Sequence, residues 1–204
     1  MNIAVFASGR GSNFQAILNA LHRGFLPATV TLFVSNNAGA GAFEIARSHN
    51  IPALHLSRHQ FSSEEAYVTA MLATLRDHRV ELIALAGYMK LIPAPVIRAF
   101  RNKILNVHPA LLPAFGGKGM YGHHVHQAVL DSGAKVSGAT VHLVDEEYDR
   151  GPIVLQKAVT VESSDTPETL AAKVLKIEHE IYPAVLKAFA ERRVSFHERI
   201  VWIQ

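Results

Sequence analysis

The chain has 204 residues, 49% of them hydrophobic, and a net charge of +3 with histidine neutral. This composition is typical of one globular domain. The sequence contains no run of ~18 apolar residues, so no membrane span is predicted. The sequence has no block of lysine and arginine of the kind that indicates a nucleic-acid-binding surface. The absence of cysteine excludes disulfides and thiolate metal sites. We therefore expect a cytoplasmic protein that binds small phosphorylated molecules and no metal. We expect a single domain over residues 1–204, with halves at 1–100 and 101–204.

The first hundred residues alternate short apolar runs with amphipathic segments. Helix Ser62–His78 is expected to begin with a capping box of Ser62 and Glu65. The predicted strands are 3–7, 30–35, 53–56, 82–86 and 104–108, and the other predicted helices are 14–21, 43–49 and 93–100. This order predicts an α/β, Rossmann-like fold, in which helices cover both faces of a mostly parallel, twisted sheet.

The second half of the chain follows a different pattern. Residues 114–122 are rich in glycine and predict a loop. Residues 136–144 and 153–161 alternate in polarity and flank an acidic turn, so they predict a pair of C-terminal antiparallel strands. A long helix is predicted from Thr166, and Pro183 is expected to break or kink it.

A glycine-rich segment, residues 8–13, separates the first strand from the first helix. Gly9 and Gly11 permit a tight turn that brings backbone N–H groups and a helix N-terminus close to an anion. Phe14 stands where a dinucleotide fingerprint has its third glycine, and no Lys-Ser/Thr pair of a P-loop follows. The segment therefore favours a monophosphate, with a plain glycine-rich turn as the alternative.

Asn106 and His108 end the fifth predicted strand. Side chains two residues apart on a strand share a face, and the carboxyl end of an α/β sheet is where ligands bind. A carboxamide and an imidazole there suit oxyanion stabilisation and proton transfer at one carbonyl, although an ordinary pair at a strand end remains the alternative.

Two carboxylates stand apart from the remaining acidic residues. Asp149 precedes Gly151-Pro152, which fixes the turn around it, and beside His108 it would raise the imidazole pKa above ~6.5. A solvated surface turn is the alternative interpretation of this acidic segment. Glu178 falls on the apolar stripe of the last helix, where a carboxylate needs a partner. That partner is either a ligand or an arginine of the protein.

Taken together, these segments resemble the phosphoribosylglycinamide formyltransferase family over essentially the whole chain. The resemblance is carried by residues 8–13, 84–89, 105–113, 149–152 and 178–179, and the run Asn-x-His-Pro-x-Leu-Leu-Pro is the most specific of them. It implies transfer of a formyl group from N10-formyltetrahydrofolate to glycinamide ribonucleotide, without a metal or a covalent enzyme intermediate.

The resemblance also implies site residues. Asn106, His108 and Asp149 form the implied catalytic set, with His142 as a partner. The residues implied to bind the ribonucleotide are Gly11, Ser12, Asn13, Leu175, Lys176, Ile177 and Glu178. The residues implied to bind folate are Met89, Lys90, Leu91, Ile92, Asp145, Glu146, Glu147 and Tyr148.

The chain departs from the family pattern at two places. Glu64 stands where the family often has an arginine that holds the folate tail, so Arg58 or Lys90 is expected to substitute. The loop 116–122 looks longer than in some relatives, and we expect it to close near the substrate and place His124 or His126 at the site.

Three rival readings remain. Methionyl-tRNA formyltransferase needs a further C-terminal domain, for which a chain ending at Gln204 leaves no room, and formyltetrahydrofolate deformylase normally has an extra N-terminal domain. The deformylase is the runner-up, because its catalytic residues would look the same. A non-catalytic nucleotide-binding module is disfavoured by the joint presence of Asn106, His108 and Asp149. The sequence is compatible with a monomer or a homodimer.

Overall fold

The computed structural model describes residues 1–204, which form two compact units, Met1–Asn106 and Val107–Gln204. In the first unit, parallel strands alternate with helices. The elements are β1 (Asn2–Phe6), α1 (Ser12–His22), β2 (Thr29–Ser35), α2 (Ala42–Ser48), β3 (Ala53–His55), α3 (Glu64–Asp77), β4 (Leu82–Leu85), α4 (Ala94–Ala99) and β5 (Ile104–His108), whose last two residues belong to the second unit.

The strands of the first unit lie in the order β3-β2-β1-β4-β5, and each neighbouring pair is parallel. All four residues of β4 are buried, as are Ile3–Phe6 of β1, so both faces of these strands are covered. The chain extends the sheet from β1 first through β2 and β3 and then through β4 and β5. The topological switch point, where α/β folds bind ligands, therefore lies between β1 and β4. The predicted Rossmann-like parallel sheet is confirmed.

The second unit combines antiparallel strands with two helices. Its elements are α5 (His123–Asp131), β6 (Val136–Leu143), β7 (Ile153–Thr160), α6 (Pro167–Ala190), β8 (Val194–His197) and β9 (Ile200–Ile203). The pairs β6–β7 and β8–β9 are both antiparallel, and α6 packs on β6 and β7. The predicted antiparallel pair around the acidic turn is confirmed, and residues 114–122 contain no helix or strand, as expected.

Two local predictions are wrong, namely the capping residue of α3 and a break of α6 at Pro183. Helix α3 is capped by Ser63 rather than Ser62, because Ser63 has extended backbone and its Oγ accepts a hydrogen bond from the Ala66 N–H at 3.1 Å. Helix α6 continues through Pro183 without a break. A proline inside a helix costs about 3 kcal/mol, but the burial of Ile181 and Tyr182 beside it contributes at least as much in the opposite direction.

Two elements of the second unit were not anticipated from the sequence, namely α5 and the hairpin β8–β9. Helix α5 buries Val125, His126 and Val129, so its inward face carries a polar ring among the apolar residues. None of the six helices combines the length and the apolar character needed to cross a membrane.

Candidate active site

The loop between β1 and α1 ends in an uncapped helix N-terminus. Gly11 has φ +84°, and a Cβ atom there would lie 2.7 Å from the Cβ of Ala42, so only glycine fits. Ser12 begins the helix and is exposed, whereas Asn13 is buried. No side-chain hydrogen bond caps this end, and a helix N-terminus of this kind is favourable for an anion.

The segment after β4 is predominantly exposed. Met89 and Leu91 are 51% and 44% exposed, whereas Ile92 is buried. Exposed large apolar side chains that follow a parallel strand at its carboxyl end are suited to contact an apolar ring.

His108 lies at the end of β5 and is 3% exposed. Its Nε2 is 2.8 Å from the carbonyl oxygen of Phe115, and its Nδ1 is 3.6 Å from Oδ2 of Asp149. A carbonyl oxygen can only accept, so Nε2 carries the proton in the shorter contact. The longer contact exceeds a normal hydrogen bond, as expected where Nδ1 carries a lone pair.

Asp149 is held in place from three sides. Its Oδ2 accepts a hydrogen bond from the Gly117 N–H at 2.9 Å, and its Oδ1 lies 3.5 Å from Nε2 of His142. His142 is itself buried, with Nδ1 2.8 Å from the carbonyl oxygen of Leu143. The backbone of Asp149 is left-handed, with φ +56°, a conformation that aspartate tolerates better than most residues. The carboxylate is therefore aimed between two buried imidazoles.

The glycines next to Asp149 make this arrangement possible. A Cβ atom at Gly116 would lie 3.1 Å from the Cβ of Asp149, and one at Gly151 would overlap the carbonyl oxygen of Leu143. The glycine-rich loop and the acidic turn thus approach each other more closely than side chains would allow.

Burial and charge act in opposite directions on this cluster. Burial lowers the pKa of His108 below its ordinary value, and it outweighs Asp149 and the Phe115 carbonyl, which raise it. The expectation that Asp149 would bring this pKa above its free value is therefore wrong. Burial also raises the pKa of Asp149, but His142, His108 and the Gly117 N–H together lower it below its usual range. His108 is neutral at neutral pH and Asp149 is ionised.

His126 adds a third buried imidazole to the second unit. It is 4% exposed, its Nδ1 has no hydrogen-bond partner, and burial, with contributions from His123 and His108, lowers its pKa to about 4. Of the two histidines expected at the site, His126 is buried within electrostatic reach of His108, whereas His124 is exposed.

A cavity of about 650 Å³ opens on the acidic turn of the second unit. Its lining includes Leu112, Asp149, Ile153 and Val201. The carboxylate of Asp149, whose side chain is 11% exposed, is therefore close to solvent although its partners are buried.

Comparison with known proteins identifies the family. The sequence pattern that defines the formyl transferase family matches residues 1–186 of this chain. The chain belongs to this family. Phosphoribosylglycinamide formyltransferase of Bacillus subtilis is 43% identical over 184 residues, which cover 90% of this chain and 92% of that protein. The chloroplastic phosphoribosylglycinamide formyltransferase of Arabidopsis thaliana is 47% identical over 197 residues, 96% of this chain and 68% of that protein.

The fold agrees with that assignment. The crystal structure of glycinamide ribonucleotide transformylase 1 from Symbiobacterium toebii superposes with a TM-score of 0.93 and 41% sequence identity, covering 100% of this chain and 93% of that one. The chain is thus a formyl transferase both by sequence and by fold.

In this formyl transferase, the remaining predicted site residues lie on separate elements of the two units. Asn106 is two residues before His108 on β5, and Asp145–Tyr148 form the acidic turn. Leu175–Glu178 lie on α6, where Glu178 is 8% exposed, which confirms that this carboxylate is on the buried stripe. The structure brings His108, Asp149 and His142 together within the second unit.

Sequence reasoning missed the backbone groups that hold this cluster. The Phe115 carbonyl and the Gly117 N–H come from a loop without periodicity, and every residue type except proline supplies both groups. The only available signal was the high glycine content of residues 114–122, which indicates close backbone approach.

Proposed function

We propose that this chain transfers the formyl group of N10-formyltetrahydrofolate to the amine of glycinamide ribonucleotide, as a phosphoribosylglycinamide formyltransferase of purine synthesis. The names of its relatives support the acceptor, and the family supports a formyl donor. The observation that carries the proposal is the buried contact of His108 with Asp149, 3.6 Å apart, at the end of β5. A neutral imidazole next to an ionised carboxylate is equipped to accept a proton.

The acceptor is assigned to a helix end and a helix face. Gly11, Ser12 and Asn13 bind the substrate phosphate, for which the uncapped N-terminus of α1 offers N–H groups and a positive dipole end. The turn of α6 at Leu175–Glu178 contacts the ribonucleotide, and the buried carboxylate of Glu178 binds a hydroxyl or amine of it.

The donor is assigned to two loops. Met89–Ile92 line the folate pocket, and the exposed side chains of Met89 and Leu91 supply apolar contact area. The backbone of the acidic turn, from Asp145 to Tyr148, binds the pterin. Glu147 N–H donates to Oδ1 of Asp145 at 3.0 Å, so the turn is ordered by its own side chain before any ligand binds.

The reaction forms one C–N bond and breaks another. The amine of the acceptor attacks the formyl carbon, and negative charge develops on the formyl oxygen, to which Asn106 donates a hydrogen bond. His108 accepts the proton that the amine loses, and Asp149 stabilises the imidazolium so formed. The same proton then passes to N10 of the leaving folate. One oxyanion donor typically contributes ~3 kcal/mol to the stability of the transition state.

An assay with and without acceptor tests the proposal. The purified chain is incubated with N10-formyltetrahydrofolate alone and with glycinamide ribonucleotide added. Formyl transfer that requires the ribonucleotide supports the proposal. Formate release that does not require it would instead identify a deformylase, and binding without turnover would identify a nucleotide-binding module.

A further inference from the structure

The carboxyl ends of three neighbouring strands, β2, β1 and β4, are joined through the side chain of Ser8. Ser8 follows β1 and is 8% exposed. Its Oγ donates a hydrogen bond to Oδ1 of Asn36 at 2.5 Å and accepts one from the Met89 N–H at 2.9 Å. Because a hydroxyl has a single proton, the bond to Asn36 commits that proton and leaves a lone pair for Met89.

The backbone of Ser8 makes the same connections. Its N–H donates to the carbonyl of Gly87 at 3.0 Å, and its carbonyl accepts from Nδ2 of Asn37 at 3.1 Å. Two of these four hydrogen bonds therefore reach the chain after β4 and two reach the chain after β2. The bonds to Gly87 and Met89 span the topological switch point between β1 and β4, at the position where an α/β fold binds its ligand.

The chain after β4 is anchored next to Met89 by the buried side chain of Tyr88, whose ring centroid is 5.4 Å from that of Phe6. Gly87 adopts φ +77° and turns the backbone, and the side chain of Met89 is 51% exposed. Ile92 is the next buried side chain. Between Tyr88 and Ile92, the part-buried hydrogen bond to the hydroxyl of Ser8 holds the backbone N–H of Met89.

We propose that Ser8 is a positioning residue for the formyl donor, whose hydroxyl holds Met89 and thereby the segment Met89–Ile92 in the conformation that binds folate. This inference rests on the proposed function, from which the donor-binding role of the segment comes. Ser8 itself is assigned no contact with substrate.

The test compares Ser8→Ala with Ser35→Ala. Ser35 is fully buried on the neighbouring strand end, and its Oγ donates to the Asn37 carbonyl at 3.0 Å and accepts from the Asn37 N–H at 3.1 Å. Both variants delete a buried serine hydroxyl with two hydrogen bonds, but only Ser8→Ala deletes the one to Met89. The pair therefore separates positioning of the donor segment from a general loss of stability.

The first measurement is amide hydrogen exchange at Met89, which needs no activity. Loss of one hydrogen bond should speed exchange there by about threefold to tenfold in Ser8→Ala. Exchange at Met89 should stay at the wild-type rate in Ser35→Ala. Unchanged exchange in Ser8→Ala would overturn the inference.

The second measurement is the split between KM and kcat. The KM for N10-formyltetrahydrofolate, and the Kd for tetrahydrofolate by calorimetry, should rise by about threefold to tenfold in Ser8→Ala. The KM for glycinamide ribonucleotide and kcat should change little. An equal rise for both substrates, or the same rise in Ser35→Ala, would show a structural role only and overturn the inference.

Two further outcomes are covered by the same design. If Ser8→Ala does not fold, Asn36→Ala replaces it. Loss of the acceptor at Asn36 frees the hydroxyl of Ser8, so the rate of amide exchange at Met89 should rise by a smaller factor. An unchanged exchange rate at Met89 would overturn the inference. If the wild-type protein transfers no formyl group, the proposed function fails, whereas exchange at Met89 and calorimetry still decide the role of Ser8.

Discussion

Replacing Asp149 by asparagine tests the electrostatic basis of the proposed mechanism. The side chain is nearly isosteric, so the backbone at φ +56° and the contact with Gly117 can persist while the charge is lost. At the 3.6 Å separation from His108, unit charges attract each other by about 5 kcal/mol at an effective dielectric constant of about 20. Part of this is screened, because the Asp149 side chain is 11% exposed. We expect kcat to fall by about a hundredfold, which corresponds to about 3 kcal/mol.

The direction in which the pH profile of the Asp149→Asn variant shifts is an independent test of the same mechanism. In the proposed mechanism His108 accepts a proton and must be neutral, so activity should fall as pH drops through its pKa. Burial lowers this pKa, whereas Asp149 raises it. Removing the carboxylate lowers this pKa further. The acid limb of the kcat profile should therefore move to lower pH in the variant.

The assay is steady-state formyl transfer over a range of pH for the wild type, Asp149→Asn and Asp77→Asn. Asp77 ends helix α3 and is exposed, so its variant controls for the loss of one carboxylate. A decrease in kcat of less than about tenfold, or an acid limb that moves to higher pH, would refute the reasoning.

Three other predictions follow from the structure. Ser63→Ala should lower stability by ~1 kcal/mol and the Tm by about 2–4 °C, whereas Ser62→Ala should not, because Ser63 caps helix α3; thermal melting decides between them. Glu178→Gln should raise the KM for glycinamide ribonucleotide more than it lowers kcat, and an equal effect on both parameters would contradict its binding role. Asp165, whose pKa is lowered to about 2 chiefly by the hydrogen bond from Lys173, stabilises the fold above its unfolded pKa of ~3.9. Asp165→Asn should therefore lower the Tm at neutral pH, and the difference should shrink as pH falls toward about 2; a difference independent of pH would contradict this.

The sequence predicts best where one local pattern decides the outcome. Strand β5 was predicted with its observed bounds, Ile104–His108, because an apolar run ends there at polar residues. The antiparallel pair followed from alternation on both sides of an acidic turn. The burial of Glu178 followed from helical periodicity. Each of these features depends on residues close together in the chain.

The sequence predicts poorly where distant groups compete. The charge of His108 depends on burial, on the Phe115 carbonyl and on Asp149, and the balance between them is visible only in three dimensions. Helix α5 was missed because its inward face includes His126, which breaks the apolar pattern set by Val125 and Val129. Continuity of α6 through Pro183 depends on tertiary burial that outweighs a local preference.

A neutral His108 is suited to accept a proton. Each nitrogen of the ring faces an oxygen that can accept a hydrogen bond, at 2.8 Å for the carbonyl of Phe115 and 3.6 Å for the carboxylate of Asp149. His142 repeats this pattern, at 2.8 Å to the Leu143 carbonyl and 3.5 Å to Asp149. A neutral ring has one N–H, so the contact of His108 with Asp149 lacks a proton at rest and becomes a charge-assisted hydrogen bond when one arrives. An imidazole that was already protonated would have this interaction before the reaction and could accept nothing. The resting geometry therefore favours a histidine that gains its charge during formyl transfer.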